Sequence, residues 1–355
     1  MIYYVLIGII ALILALCMID AEGIIFSKIL IIIMFLLFAF VKTNVDMGAY
    51  LDFYNRINRI SDITVTDPAF GFLMLSGKMI GLDYYGFLVY LGIIGLLFLS
   101  FVFRHYSRCP AIALALYFIF DFAAEIIQIR AFMSEIVMYI LMMDIIEKDQ
   151  FHWKRYFITL TIGVLFHSTS IFFLLLILPV LIKNRRKLYT IVLIGCLLVP
   201  SVSIILRFFP IPILRDKLQY YVISQREGIS FGALIYVMIF LLVSVWVGHI
   251  AKHERDFIWE SKLQKLMNIH VIALIACVLL VYFSSNFYRI LRTVMVVDSL
   301  ALGSYYKGKG KLTLSHRVIV SACVLFFFVG FEMWGGSWKE IMKSNSLFCS
   351  IMQFI

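Results

Sequence analysis

Four groups of polar residues lie inside or beside long apolar runs, and each suggests a chemistry. The first is Asp121, Glu125, Gln128, Arg130 and Glu135. Arg130 carries a planar fork of N–H donors that suits a phosphate. An internal ion pair with Glu125 or Glu135 would use the same fork. The second group is His167 with Ser168 and Ser170. An imidazole titrates near neutrality, so it can act as a base or donate to a phosphate or sugar. A lone histidine is also, more commonly, a hydrogen-bonded core group. The third is Arg289 and Arg292, three residues apart after Asn286. Two guanidinium groups on one helix face repel in a low dielectric. A bound dianion such as pyrophosphate would satisfy both, snorkelling would relieve one, and Asp298 could serve as a counter-ion. The fourth is the stretch 42–70 with Asp46, Tyr50, Asp52, Arg56 and Asp67. Carboxylates and tyrosines are usual partners of sugar hydroxyls and rings, while a solvated loop would need no ligand at all.

The background to these groups is lipid-soluble. Of the 355 residues, 63% are hydrophobic and 15% charged, with a mean hydropathy of +1.00. A soluble domain is roughly half apolar and a quarter charged. A globule of this composition lacks the charge to cover its surface in water. Disorder is excluded as well, because 33 Phe and 19 Tyr among long Ile/Leu runs cannot stay dispersed. The net charge of +10 lies in short clusters between apolar runs, not in one basic face, so no nucleic-acid partner is expected. Charge spread over short loops is what the positive-inside rule gives. The six cysteines (17, 109, 196, 277, 323 and 349) form no CxxC pair and read as free core thiols.

About 20 apolar residues cross a bilayer as a helix. Spans are predicted near 1–19, 24–41, 84–103, 110–123, 129–146, 187–206, 230–250, 267–284, 287–303 and 317–334. The first lacks a basic n-region and a cleavage site, so it reads as a retained helix. The stretch 156–182 is interrupted by His167-Ser168-Thr169-Ser170. If the basic loops 104–108, 148–155, 183–187, 252–265 and 307–317 all face the cytoplasm, both ends of 156–182 lie inside. It is then a broken or re-entrant membrane segment, with a wet polar cavity around its tip. The same orientation puts 42–83, 124–128, 207–229 and both termini outside. The two long outer loops, 42–83 and 207–229, are expected to hold interfacial helices. In the first, Asp46, Tyr50 and Tyr54 would share one helix face, and Asp52, Arg56 and Arg59 another. The basic residues outside, among them Arg56, Arg59, Lys78, Arg207 and Arg215, suit an anionic ligand at that face. The prediction is thus an all-α polytopic membrane protein of about ten to twelve transmembrane or half-membrane helices, forming one transmembrane domain over 1–355.

Several chemistries have no motif. No DxD supports a metal-dependent nucleotide-sugar transferase, and no Walker A loop or HExxH is present. His249 and His253 are four apart, but Lys252 and Arg255 beside them would repel a cation. No metal or cofactor is expected.

Taken in order, Asp46-Met-Gly-Ala-Tyr50-Leu-Asp-Phe-Tyr54, Asp67-Pro68-Ala69-Phe70, Gln128-Ile-Arg130-Ala131-Phe132, Leu165-Phe166-His167-Ser168-Thr169-Ser170 and Phe287-Tyr288-Arg289 resemble the EpsG-like, Wzy-type group of bacterial polysaccharide polymerases. The resemblance runs from about residue 40 to residue 300. It departs at Ala131, where the family commonly has Gln, and at Asp67 and Ala69, where Glu and Gly are frequent. It implies a fold akin to the C-type membrane glycosyltransferases, in a bacterial cytoplasmic membrane. Such an enzyme joins undecaprenyl-pyrophosphate-linked oligosaccharide repeat units at the outer face. The growing chain is the donor, a single lipid-linked unit the acceptor, and lipid pyrophosphate leaves. The resemblance assigns Arg130, Arg289 and Arg292 to the pyrophosphate and His167 or Asp46 to a base, with Gln128, Tyr50, Asp67 and Ser168 as further substrate contacts. A chain-length regulator and a flippase are natural partners. Two rivals fit the same residues: a lipid-linked oligosaccharide flippase, which usually shows two related halves, and another membrane glycan transferase such as a ligase or O-acetyltransferase.

Overall fold

The computed structural model describes residues 2–20, 23–199, 231–283, 287–308, 341 and 344–345. These are almost wholly helical, with one isolated bridge between Val41 and Asn345. The helices are α1 (Ile2–Ile19), α2 (Ile24–Ala39), α3 (Met47–Arg56), α4 (Pro68–Met79), α5 (Tyr84–Tyr106), α6 (Pro110–Ile127), α7 (Ile129–Glu147), α8 (Trp153–Phe166), α9 (Arg185–Leu198), α10 (Phe231–His253), α11 (Phe257–Tyr282) and α12 (Tyr288–Gly308). A 3-10 turn, Ile60–Val65, precedes α4, and a longer 3-10 segment, Ser168–Ile177, follows α8. The predicted span 317–334 and the outer loop 207–229 lie outside the described residues, as does Asn286.

Among the described residues, four helices are long and apolar enough to cross a membrane: α5, α6, α10 (from Ala233) and α11. At 1.5 Å per residue, the 23 residues of α5 exceed the roughly 30 Å of a bilayer core. Shorter apolar helices cover Gly8–Cys17, Ile24–Ala39 and Ser168–Leu181. Their outward surfaces are greasy. Helix α5 exposes Ile93, Leu97 and Phe101 at i, i+4 and i+8, and α10 exposes Leu234, Ile235, Met238, Leu242, Val245 and Trp246. Contiguous apolar surface of this kind has lipid, not water, as its solvent. The chain is an all-α multi-pass membrane protein.

It divides into two compact units. The first comprises Met1–Leu141, Lys154–Ile171 and Asp298–Ile355; the second comprises Met142–Trp153 and Phe172–Val297. Helix α12 contributes its first part to the second unit and its remainder to the first.

In the first unit, α2 packs against α1, α5 and α6. Gly95 makes the close approach of α5 possible, because a Cβ there would run into the Phe132 ring. Helices α3, α4 and α5 share a buried aromatic cluster: Tyr50 against Phe70 (6.0 Å between centroids), Tyr54 against Phe87 (5.2 Å) and Phe70 against Phe87 (5.9 Å). Asn345 donates to the carbonyls of Leu36 and Leu37 at 3.1 and 3.2 Å, capping the end of α2. Helix α6 carries a π-helical turn over Phe118–Phe122 that contains the buried Asp121. Such turns are rare and recur at functional sites.

In the second unit, α11 packs against α10 and α9. Helix α11 begins at Phe257, ten residues before the predicted span at 267. The side chain of Asp256 accepts from the backbone N–H groups of Ile258 (3.0 Å) and Trp259 (3.3 Å) and so caps the helix. The charges at Glu260, Lys262 and Lys265 therefore ride on extra helical turns, where the hydropathy pattern suggested a loop over 252–265.

Candidate functional site

Helix α3 buries the face expected of it. Met47, Tyr50 and Tyr54 point inward, while Asp52 and Arg56 form an exposed i,i+4 pair at 3.4 Å. The helix ends at Arg56, because Ile57 is extended; Arg59 therefore does not join the Asp52/Arg56 face. The hydroxyl of Tyr54 donates to the carbonyl of Leu82 at 2.7 Å. Lys78 lies 5.1 Å over the Tyr54 ring and donates to Asn55 O and Asn58 Oδ1. These bonds fix α3 relative to α4.

Asp67 occupies the N-cap position of α4, with Pro68 at the first helical position. Asp-Pro at a helix start normally turns the carboxylate onto the helix's own N–H groups. Here it makes no such bond. Its Oδ2 instead accepts from Arg130 Nη1 at 3.1 Å and lies 3.3 Å from His167 Nδ1. Gly71 holds this arrangement, since a Cβ there would run into the backbone of Ile63 in the 3-10 turn.

Arg130 is placed by a one-residue joint. Gln128, at φ −108° and ψ 58°, leaves the helical region and separates α6 from α7. Its N–H still donates to Ala124 O, and its carbonyl accepts from Phe132 N. Arg130 thus falls in the first turn of α7, at the positive end of the helix dipole, where a cation is unfavourable without an anion. Asp67 supplies that anion. Nη1 also donates to Thr66 Oγ1 at 3.2 Å. The guanidinium lies 5.6 Å from the ring centroids of both Tyr50 and Phe53, within cation–π range. Its side chain is 26% exposed, against 7% for Asp67 and 4% for His167.

His167 ends α8. Its N–H donates to Gly163 O at 2.8 Å, and its carbonyl accepts from Ser170 N at 3.1 Å as the 3-10 segment begins. The chain therefore breaks at the His-Ser-Thr-Ser run. Ser134 on α7 donates to Gly163 O at 2.8 Å. Its hydroxyl has one proton, so in the Ser134–Ser170 contact at 2.5 Å the donor is Ser170. This links the break to α7, whose first turn carries Arg130. With Nδ1–H donating to Asp67, Nε2 is the basic nitrogen of His167.

The structure thus brings together Tyr50, Asp67, Arg130 and His167, all in the first unit. Asp46 stands half-buried before α3, one turn ahead of Tyr50, and its side chain does not cap the helix. Ser168 is half-buried; the serine in a buried hydrogen bond beside His167 is Ser170. Arg289 and Arg292 belong to the second unit, in the first turns of α12. Arg292 is 1% exposed, and its guanidinium lies 5.2 Å over the Tyr288 ring. Thr66 and Phe53 are site residues the sequence analysis missed. Phe53 is three residues after Tyr50 on α3, a spacing that puts both near one face; Thr66 had no signal beyond its neighbour Asp67. Glu125, Glu135 and Asp121 are buried in the same unit, with Tyr139 donating to Glu135 at 3.4 Å. Among the described residues no group of His, Cys, Asp or Glu is arranged to hold a metal.

A helical membrane protein with a buried carboxylate shared between a guanidinium and an imidazole is the class these features define. A family model described as the EpsG family matches residues 24–338, and the chain belongs to that family. It is a membrane protein of polysaccharide biosynthesis. No curated protein and no solved structure matches it.

Proposed function

We propose that this protein is a polysaccharide polymerase that joins undecaprenyl-pyrophosphate-linked repeat units by glycosyl transfer. The observation that carries the reading is the meeting of Asp67, Arg130 and His167 on three separate elements. A phosphate binder and a base are the two groups this reaction needs. The acceptor hydroxyl oxygen bonds to the anomeric carbon of the donor. The bond from that carbon to the phosphate oxygen breaks, and its electron pair leaves with the lipid pyrophosphate. The hydroxyl proton passes to Nε2 of His167, whose Nδ1–H is oriented by Asp67. Negative charge grows on the leaving phosphate, and Arg130 is positioned to stabilise it. Arg289 and Arg292 are a second candidate pair for phosphate. Tyr50, Gln128 and Ser168 are candidate sugar or phosphate contacts, and Asp46 is a second candidate base.

Deleting the gene in the native cell tests the reading. The expected result is loss of long polysaccharide with single repeat units still reaching the surface. Repeat units trapped inside the cell would instead favour a flippase, and unchanged chain length would overturn both.

A further inference from the structure

Asp67 has two possible duties in the structure and performs only one. At the N-cap of α4 it could bond the helix's N-terminal N–H groups, yet its side chain makes no cap bond. One oxygen, Oδ2, serves both Arg130 (3.1 Å) and His167 (3.3 Å). A carboxylate oxygen is chemically similar to a phosphate oxygen, so on Arg130 the two compete for the same donor fork. The three side chains differ in access: Arg130 is 26% exposed, whereas Asp67 and His167 are at most 7% exposed. An anion from outside therefore meets the guanidinium before it meets the other two.

We propose that Asp67 is an internal competitor for the anion site of Arg130, displaced by a phosphate-bearing ligand so that its carboxylate then serves His167 alone. The proposal rests on the reading of Arg130 as a phosphate contact and adds a coupling to it. The displaced carboxylate is not left bare. Oδ2 keeps the imidazole, and the first turn of α4 offers donors to the other oxygen. With the guanidinium neutralised by the ligand, the full negative charge of Asp67 faces His167 and strengthens it as a base. Ligand arrival and base activation are thereby one event. Asp67 is a positioning residue here, acting through Arg130 and His167.

The test uses the full chain in nanodiscs, with inorganic pyrophosphate as probe and calorimetry as readout. Asp67→Asn removes the competing charge, so it is expected to bind pyrophosphate about fivefold more tightly than the native chain, as loss of a roughly 1 kcal/mol ion pair allows. Asp67→Ser can still cap α4 but carries no charge, and is expected to tighten binding likewise. Asp67→Glu restores the charge and with it the native affinity. With lipid-linked repeat units, Asp67→Asn is expected to lower KM and kcat together, a split that a merely structural role would not give. A misfolded variant cannot bind more tightly. If Asp67→Asn and Asp67→Ser bind no more tightly than native while Arg130→Ala abolishes binding, the competitor idea fails and the phosphate reading of Arg130 stands. If Arg130→Ala binds pyrophosphate as the native chain does, the phosphate reading fails and takes the competitor idea with it.

Discussion

Each unit joins helices with a carboxylate and a basic side chain, but the two do so differently. In the second unit, Lys262 on α11 pairs with Glu147 at 2.5 Å. Lys265, one turn on, donates to the carbonyls of Ile146 (3.3 Å) and Lys148 (2.7 Å). Both cations thus sit at the negative end of α7, where the helix dipole favours them and terminal carbonyls lack intrahelical partners. The local preference of both cations is met. In the first unit, Arg130 stands at the positive end of the same helix, and Asp67 leaves its own helix uncapped to reach it. Two local preferences are set aside for a contact between distant segments. Departures from local rules cluster at functional sites more than at contacts that serve stability alone.

The sharpest way to break this contrast is to remove one cation from each region. Arg130→Ala is expected to lower polymer formation by about a hundredfold or more, the scale of losing a charge-stabilising donor. His167→Ala is expected to lose about as much as removal of a general base gives, on the order of 10² to 10⁴. Lys262→Ala removes only a half-exposed ion pair, and its activity is expected to stay within about twofold of native, with stability lower by about 0.5 kcal/mol. Chain-length profiles on gels, normalised to the amount of inserted protein, provide the measurement. Equal losses at Lys262 and Arg130 would erase the distinction between the two regions.

Much of the first region was legible locally, and its assembly was not. The i, i+4, i+8 spacing of Asp46, Tyr50 and Tyr54 located the inward face of α3, because side-chain direction in a helix depends only on sequence position. The break at His167 was legible because four polar residues cannot continue a lipid-facing helix without partners. The pairing of Asp67 with Arg130 and His167 spans 63 and 100 residues. Nothing periodic connects them, and the local Asp-Pro pattern points the carboxylate the other way, onto α4. The ion pair weighed for Arg130 from the sequence was with Glu125 or Glu135, its near neighbours in the chain, and Asp67 gave no signal as a partner of it. The start of α11 was misplaced for a related reason. Hydropathy reports lipid contact and not helicity, so a capped helix that extends past the bilayer reads as a charged loop.

A subtler perturbation moves the site without touching its chemistry. In Gly71→Ala the new methyl meets the backbone of Ile63, which cannot rotate away. The 3-10 turn must then shift, carrying Thr66 and Asp67 off Arg130. Overpacking of this sort costs about 1–3 kcal/mol, and activity should fall tenfold or more, since catalysis is sensitive to ångström-scale displacement. On the other side of the comparison, Lys265→Met keeps the stem and removes the ammonium. It is expected to cost about 0.5–1 kcal/mol, the worth of a cation at a helix C-terminus, and to leave chain length unchanged. Thermal unfolding in detergent, measured beside polymer length, separates the two variants.

The smallest effect comes from Asp62, five residues before Asp67 in the same loop. The N–H of Asn58, the hydroxyl of Ser61 and the N–H of Arg59 all donate to its carboxylate and hold it below the usual carboxylate range, even though it is only half-buried. Because the folded form is the stronger acid, its contribution is complete above the ordinary carboxylate range, about pH 4, and disappears as pH falls through the lowered value. Asp62→Asn has no such proton to take up. The melting temperature of the native chain should therefore fall more steeply than that of Asp62→Asn as pH is lowered from 6 to 3 (values on the order of the carboxylate range), while both make polymer of native length at neutral pH. A loss of chain length in Asp62→Asn would mean that the turn, and not Asp67 alone, sets the geometry at Arg130. Asp62 and Asp67 are neighbours of one residue type, and only the one whose bonds leave the loop is expected to change what the protein makes.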